Sequence, residues 1–345
     1  MSVFSDVIGH ERVVELLDRE APSAANAYLF VGAAGVGKAT VARRFATLLL
    51  CPTGGAHPTI EECRSCRRVV NGNHPDLILV EPEGRQSLGV DQARSTIQQA
   101  SLKPVEASRK VFVLEEAGTM TDQAANALLK TLEEPSPTTV FLLIAESEDQ
   151  LPATVGSRCR TVHFGRVGDE PLTRALLGHG LDHGQAETLT RLAGGRPGLA
   201  LALLSSPATA TFRTTWLSVP LRATDRPGEA FNLAGEMLAS VDPLIERVGT
   251  DLGKEESEKA RRRARQALLV TGLELIASWY LDAAAVQLGG PMKNRDVPVA
   301  TLTRVSPALA VQRAERVMDA ISDLEMNLRP QLLLADLFAD IAIED

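Results

Sequence analysis

The nine residues Gly32-Ala33-Ala34-Gly35-Val36-Gly37-Lys38-Ala39-Thr40 constrain this chain more than any other stretch. They follow a short apolar run, Ala27-Tyr28-Leu29-Phe30-Val31, and lead into an amphipathic pattern over residues 40–50. The local order is strand, glycine-rich loop, helix. In that setting the glycines let successive backbone N–H groups curl around an anion. The helix N-terminus adds a favourable dipole, and Lys38 reaches outer phosphates. Further strand-length apolar runs fall at 77–80, 111–114 and 140–145, with helical patterns at 91–101 and 122–132 between them. The alternation predicts an α/β fold, a mostly parallel sheet with helices on both faces.

Beyond residue 166 the strand signals fade. Short helical patterns at 171–177 and 185–193 end at Gly194-Gly195-Arg196-Pro197-Gly198. Longer amphipathic patterns follow at 228–248, 254–287 and 306–324, with a last apolar helix near 331–343. At roughly 150 residues per domain, 345 residues make two or three domains. An apolar fraction of 44% with only 4% aromatic residues suits the helix-rich version. The run 255–265, which includes Arg261-Arg262-Arg263, has two readings: a solvated helix face, its commoner fate, or a patch turned toward DNA.

A net charge of −8 argues against a protein that coats DNA by bulk charge, since phosphate binding needs clustered Lys and Arg. The N-terminus carries no basic stretch followed by an apolar run, and no segment approaches the ~20 apolar residues that span a bilayer. The expectation is a soluble cytoplasmic protein with no membrane partner, whose four cysteines are reduced or metal-bound.

The phosphate loop departs from the usual pattern in two places. Ala39 stands where a hydroxyl should help bind Mg²⁺, and Thr40 comes one residue late, about 100° around the helix. After the run 111–114 comes Glu115-Glu116, where P-loop ATPases place an Asp on the metal side and a Glu on the water side. Glu115 is one methylene longer than that Asp. The candidate nucleotide site is Gly32, Gly35, Gly37, Lys38, Ala39 and Thr40 with Glu115 and Glu116. Binding of ATP or ADP and its absence stay open as readings, Mg²⁺ binding is in question, and efficient hydrolysis by the isolated chain is not expected.

Taken in order, the loop, the acidic pair, Ala127-Leu128-Leu129-Lys130-Thr131-Leu132-Glu133-Glu134-Pro135 and Gly156-Ser157-Arg158-Cys159 resemble the bacterial clamp-loader subunits of the AAA+ class. His74-Pro75-Asp76, Gly89-Val90-Asp91-Gln92-Ala93-Arg94 and Asn327-Leu328-Arg329-Pro330-Gln331-Leu332 extend the resemblance over nearly the whole chain. It implies an AAA+ P-loop core over 1–165, a small helical lid over 166–207 and an all-helical collar over 208–345, through which subunits assemble into an open ring. It further implies ATP sites at subunit interfaces, with Arg158 as an arginine finger acting on a neighbour's γ-phosphate. The implied partners are gamma/tau-type and delta-type subunits, the sliding clamp and primer-template DNA.

Two subunit types share these motifs, the ATP-hydrolysing gamma/tau motor and a type whose own site is degraded. The chain resembles the second. Ala39 follows the lysine, Gly198 stands where the motor carries an arginine, and no threonine-rich segment follows residues 141–145. The chain also stops at 345, without tau's long extension. The alternatives are an active motor and a stand-alone P-loop phosphotransferase, which would need a substrate lid in place of the helical last third.

Cys63-Arg64-Ser65-Cys66 has the two-residue gap that lets both thiolates reach one tetrahedral Zn²⁺, and Cys51 lies close by. Clamp-loader subunits of this type often carry four cysteines here, and the spacing puts the fourth at Ile60, which cannot bind metal. His57 is the nearby substitute. A zinc held by Cys51, His57, Cys63 and Cys66 and a relic loop of free thiols are both open readings. Cys159 is expected to be a small buried side chain.

Overall fold

The structure, a computed structural model, describes residues 3–57, 59–82, 87–204, 208–246, 254–294, 296–325 and 329–342. The chain forms two compact units, Met1–Ala175 with Gly195–Gly198, and Leu176–Gly194 with Leu199–Asp345.

The first unit is built on five strands, β1 (Ala27–Val31), β2 (Leu77–Val80), β3 (Lys110–Leu114), β4 (Thr139–Ala145) and β5 (Arg160–His163). They form one all-parallel sheet in the order β2-β3-β4-β1-β5. Every residue of β1, β3 and β4 is buried, which is why these strands read as unbroken apolar runs. β5 shows no apolar run in the sequence because its residues are Arg-Thr-Val-His and only Val162 is buried.

The helices of this unit are α1 (Glu11–Glu20), α2 (Lys38–Leu50), α3 (Arg64–Val70), α4 (Val90–Ala100), α5 (Asp122–Glu133) and α6 (Ala153–Gly156), with the first part, through Ala175, of α7 (Asp169–Gly178). Side chains alternate across the sheet and make two cores. Tyr28, Phe30, Val111, Val113 and Leu142 pack with Leu17 of α1, Phe45 of α2 and Val69 of α3. Leu29, Phe112, Leu114, Phe141 and Leu143 pack with Ala93 of α4, Leu128 of α5 and Val155 of α6. Helices therefore cover both faces. Within this frame the His74-Pro75-Asp76 motif is a structural staple. The buried Asp76 carboxylate accepts the backbone N–H groups of Val105, Glu106 and Ala107 at 2.6, 2.9 and 2.8 Å. Burial opposes its ionisation, yet these donors hold its pKa below the ordinary range.

The other helices are α8 (His183–Ala193), α9 (Pro197–Ala202), α10 (Thr209–Leu217), α11 (Val219–Arg222), α12 (Pro227–Ala239), α13 (Asp242–Ile245), α14 (Lys254–Gln287), α15 (Val299–Leu302), α16 (Pro307–Glu325) and α17 (Pro330–Asp340). The second unit holds no strand among its described residues. α14 packs against α16 and α12 against α17. Trp216 of α10 lies so close to α14 that a Cβ at Gly272 would stand 2.2 Å from its ring, so only glycine fits there. The indole Nε1 donates to Ser240 Oγ at 3.0 Å.

The single helix expected over 228–248 is two, α12 and α13, because Pro243 lacks an N–H and enters only at a helix start. Residues 247 and 248 lie outside the described residues, as do Asn327 and Leu328 of the Asn-Leu-Arg-Pro motif. Within the 255–265 run Arg265 pairs with Asp242 at 2.7 Å, and several other side chains lie outside the described set. Against the expectation of no bilayer-length segment, Ala264–Gln287 is long and apolar enough to cross a membrane by length and composition. Since 72% of that window is buried inside the protein, it reads as a core helix.

Candidate functional site

The phosphate loop sits between β1 and α2, as the sequence predicts. Gly32 has φ 154°, and a Cβ there would stand 2.3 Å from the Phe164 carbonyl oxygen, so the loop can leave β1 only at a glycine. Gly37, at φ 107°, caps α2. Two braces hold the loop that the sequence reading did not single out. His10 Nε2 donates to the Val36 carbonyl at 2.8 Å, and Gly198 N donates to the Gly35 carbonyl at 3.1 Å.

Lys38 is only 7% exposed, and its ammonium donates to the loop carbonyls of Gly32 and Ala33, the latter at 2.8 Å. Burial drives its pKa down to about 8, against the upward pull of the Glu146 carboxylate. Ala39 packs half-buried against the first core, whereas Thr40 is exposed. Glu115, just past β3, is buried and accepts Arg43 Nε at 2.9 Å and Nη2 at 2.6 Å, both on Oε1. Glu116 opens a short 3-10 turn, and its carbonyl accepts the Thr119 N–H at 2.9 Å.

Arg158 lies just before β5, the strand next to β1, at the opposite end of the strands from the phosphate loop. β5 runs parallel to β1 with Arg160 level with Tyr28 and His163 with Val31. Gly32 follows Val31, four residues beyond Tyr28. At about 3.3 Å per residue the loop and the level of Arg160 are separated by about 13 Å along the strands. Arg158 Nη1 donates to the Thr154 carbonyl at 2.7 Å, and Nη2 pairs with the carboxylate of Glu133 at the end of α5. Both partners are partly open to solvent, at 32% and 45% side-chain exposure. Cys159 is half-buried against the second core rather than fully buried, and burial pushes its thiol up to about 11.

Cys51, His57, Cys63 and Cys66 converge so that one ligand atom from each lies within 4.8 Å of the others. Two sulfurs at 2.3 Å from one tetrahedral zinc stand roughly 3.8 Å apart, so the donor set and its spread fit that ion. His57 Nε2 is 3.2 Å from Cys66 Sγ, and its Nδ1 is buried with no hydrogen-bond partner. Burial disfavours the Cys51 thiolate, but hydrogen bonds from the Thr53 hydroxyl and the Gly55 N–H outweigh it and bring the thiol to about 6. Cys66 moves the other way, raised by burial and by the neighbouring thiols Cys63 and Cys51. Ile60 at the spacing's fourth position packs instead against the first core.

A parallel sheet that carries a glycine loop and lysine after β1 and an acidic pair after β3 defines a P-loop protein of the AAA+ type. Residues 9–168 match the family described as "DNA polymerase III, delta subunit". The chain is 44% identical over 140 residues to the DNA polymerase III subunit delta' of Pseudomonas aeruginosa, covering 39% of this chain and 42% of that protein. It is 39% identical over 168 residues to the delta' subunit of Bacillus subtilis, covering 48% and 50%. It is 30% identical over 325 residues to the tau subunit of Escherichia coli, covering 90% and 48%. The chain spans about half the length of the curated relatives it matches. Over residues 9–168, just under half of its length, the chain is thus similar to the delta' subunits of bacterial DNA polymerase III.

Proposed function

We propose that this chain is a delta'-like subunit of a clamp-loader complex, assisting ATP-dependent loading of a sliding clamp onto primed DNA in the bacterial cytoplasm. Its partners on this reading are gamma/tau-type and delta-type subunits, with the clamp and primer-template DNA met through the complex. Arg158 is the arginine finger. The carrying observation is its position at the end of the strands opposite the phosphate loop, with a solvent-accessible partner, which suits action on a nucleotide held by a neighbour. An arginine fits that task because its charge persists and its fork matches phosphate oxygens.

The chain's own loop binds ATP or ADP weakly through Lys38 and the Gly32, Gly35 and Gly37 backbone, and hydrolyses little. Residues 1–165 act as the core, 166–207 as the lid and 208–345 as the collar that joins the ring. Cys51, His57, Cys63 and Cys66 hold one structural Zn²⁺, which ties the loop after α2 to α3.

The test is reconstitution. Mixed with gamma/tau-type and delta-type subunits, the chain enters a stable complex, while alone it turns over ATP negligibly. Multiple turnovers per minute by the isolated chain, abolished by Lys38→Ala, would replace this reading with an active motor. Elemental analysis of protein prepared without chelator should find one zinc per chain; far less leaves a loop of free thiols.

A further inference from the structure

We infer that the Arg43 guanidinium takes the place of the divalent cation at this nucleotide site, so that a nucleoside diphosphate binds here without magnesium. The inference rests on the reading of the loop as a nucleotide site and deepens it. In P-loop proteins the residue after the lysine supplies a hydroxyl to the metal, and the acid after the third strand completes the metal's surroundings. Here the first group is the methyl of Ala39, packed against the core, and the second is Glu115.

Arg43 lies four residues after Ala39 on α2, hence on the same helix face one turn further along. Long side chains on a helix lean toward its N-terminus, so Arg43 reaches back over the turn that Ala39 leaves empty of a hydroxyl. Its guanidinium meets Glu115 Oε1 through both Nε and Nη2, at 2.9 and 2.6 Å. The Glu115 side chain is only 4% exposed, so its charge needs a partner, and the fixed cation of Arg43 supplies one. A magnesium ion here would have to displace that guanidinium without a hydroxyl at position 39 to bind it. The two departures from the P-loop pattern are thus compensated by a third residue, 72 positions before Glu115.

The experiment titrates the full chain with ADP by calorimetry, in magnesium buffer and in excess EDTA. The affinities should agree within about twofold. Arg43→Met should weaken ADP about tenfold in both buffers. Adding Ala39→Thr to Arg43→Met should make ADP bind about tenfold more tightly with magnesium than without. If Arg43→Met melts well below the parent, Arg43→Lys, which keeps a charge but not the fork, replaces it and should weaken ADP in EDTA. Magnesium tightening the parent tenfold or more, or an unchanged ADP affinity in EDTA for the folded variant, would overturn the inference. So would the absence of ADP binding in either buffer. Failure of the subunit reading is seen separately, as failure to join the reconstituted complex.

Discussion

Lys38 and Arg158, the two cations assigned to phosphates in the proposed function, lie at opposite ends of the neighbouring strands β1 and β5, and they are held in opposite ways. At the phosphate loop Lys38 is buried, and its donors are turned onto the loop's own carbonyls. Glu115 is likewise taken up by Arg43. At the other end of the strands Arg158 leans on a single carboxylate, Glu133, and both remain open to water. An exposed pair of that kind contributes about 0–1 kcal/mol, so a phosphate group can displace Glu133 at little cost. One end satisfies itself, and the other is ready to be shared.

The strongest way to break this contrast is Arg158→Ala in the reconstituted complex. The variant should fold and assemble, yet lower hydrolysis at the facing site by about 10³-fold or more. A wild-type rate would make Arg158 a structural residue.

The next effect concerns the closed phosphate loop. The folded Lys38 pKa of about 8 lies below its ordinary 10.5, so between those values the unfolded chain holds a proton that the folded chain has released. Stability should therefore rise with pH across that window, and Lys38→Met should remove the rise. Below pH 8 the variant should gain up to about 3 kcal/mol from the lost desolvation. Urea melts of both proteins at several pH values check this, and parallel pH profiles would mean that Lys38 is not desolvated.

The smallest effect sharpens the comparison. Glu133→Gln should change stability by less than about 1 kcal/mol and leave ring hydrolysis equal or faster. A loss of several kcal/mol would make the pair a structural clasp.

How far the sequence carried this picture depended on whether a feature is local. β1, β3 and β4 were legible because burial on both faces writes them as apolar runs, and the phosphate loop because its glycines and lysine are contiguous. The cysteine pair was legible from its spacing and His57 only as a nearby substitute for Ile60, and one short loop brings them together. Arg43 was not, because its partner Glu115 is 72 residues away and only the packing of α2 beside β3 joins them. Glu133 was visible within its motif, but nothing in the motif says that its carboxylate meets Arg158. Likewise α12 and α13 merged into one pattern because the apolar period continues past Ala239, and Pro243 alone marks the break.

The contact of Trp216 with Gly272 has an optical consequence. The chain has two tryptophans, Trp216 and Trp279, both deeply buried in the helical unit, while the first unit has only Tyr28 for a strong chromophore. Tryptophan emission therefore watches the helical unit alone, and the sheet with its phosphate loop can open without changing it. Melting followed by fluorescence and by calorimetry should coincide only if both units unfold together.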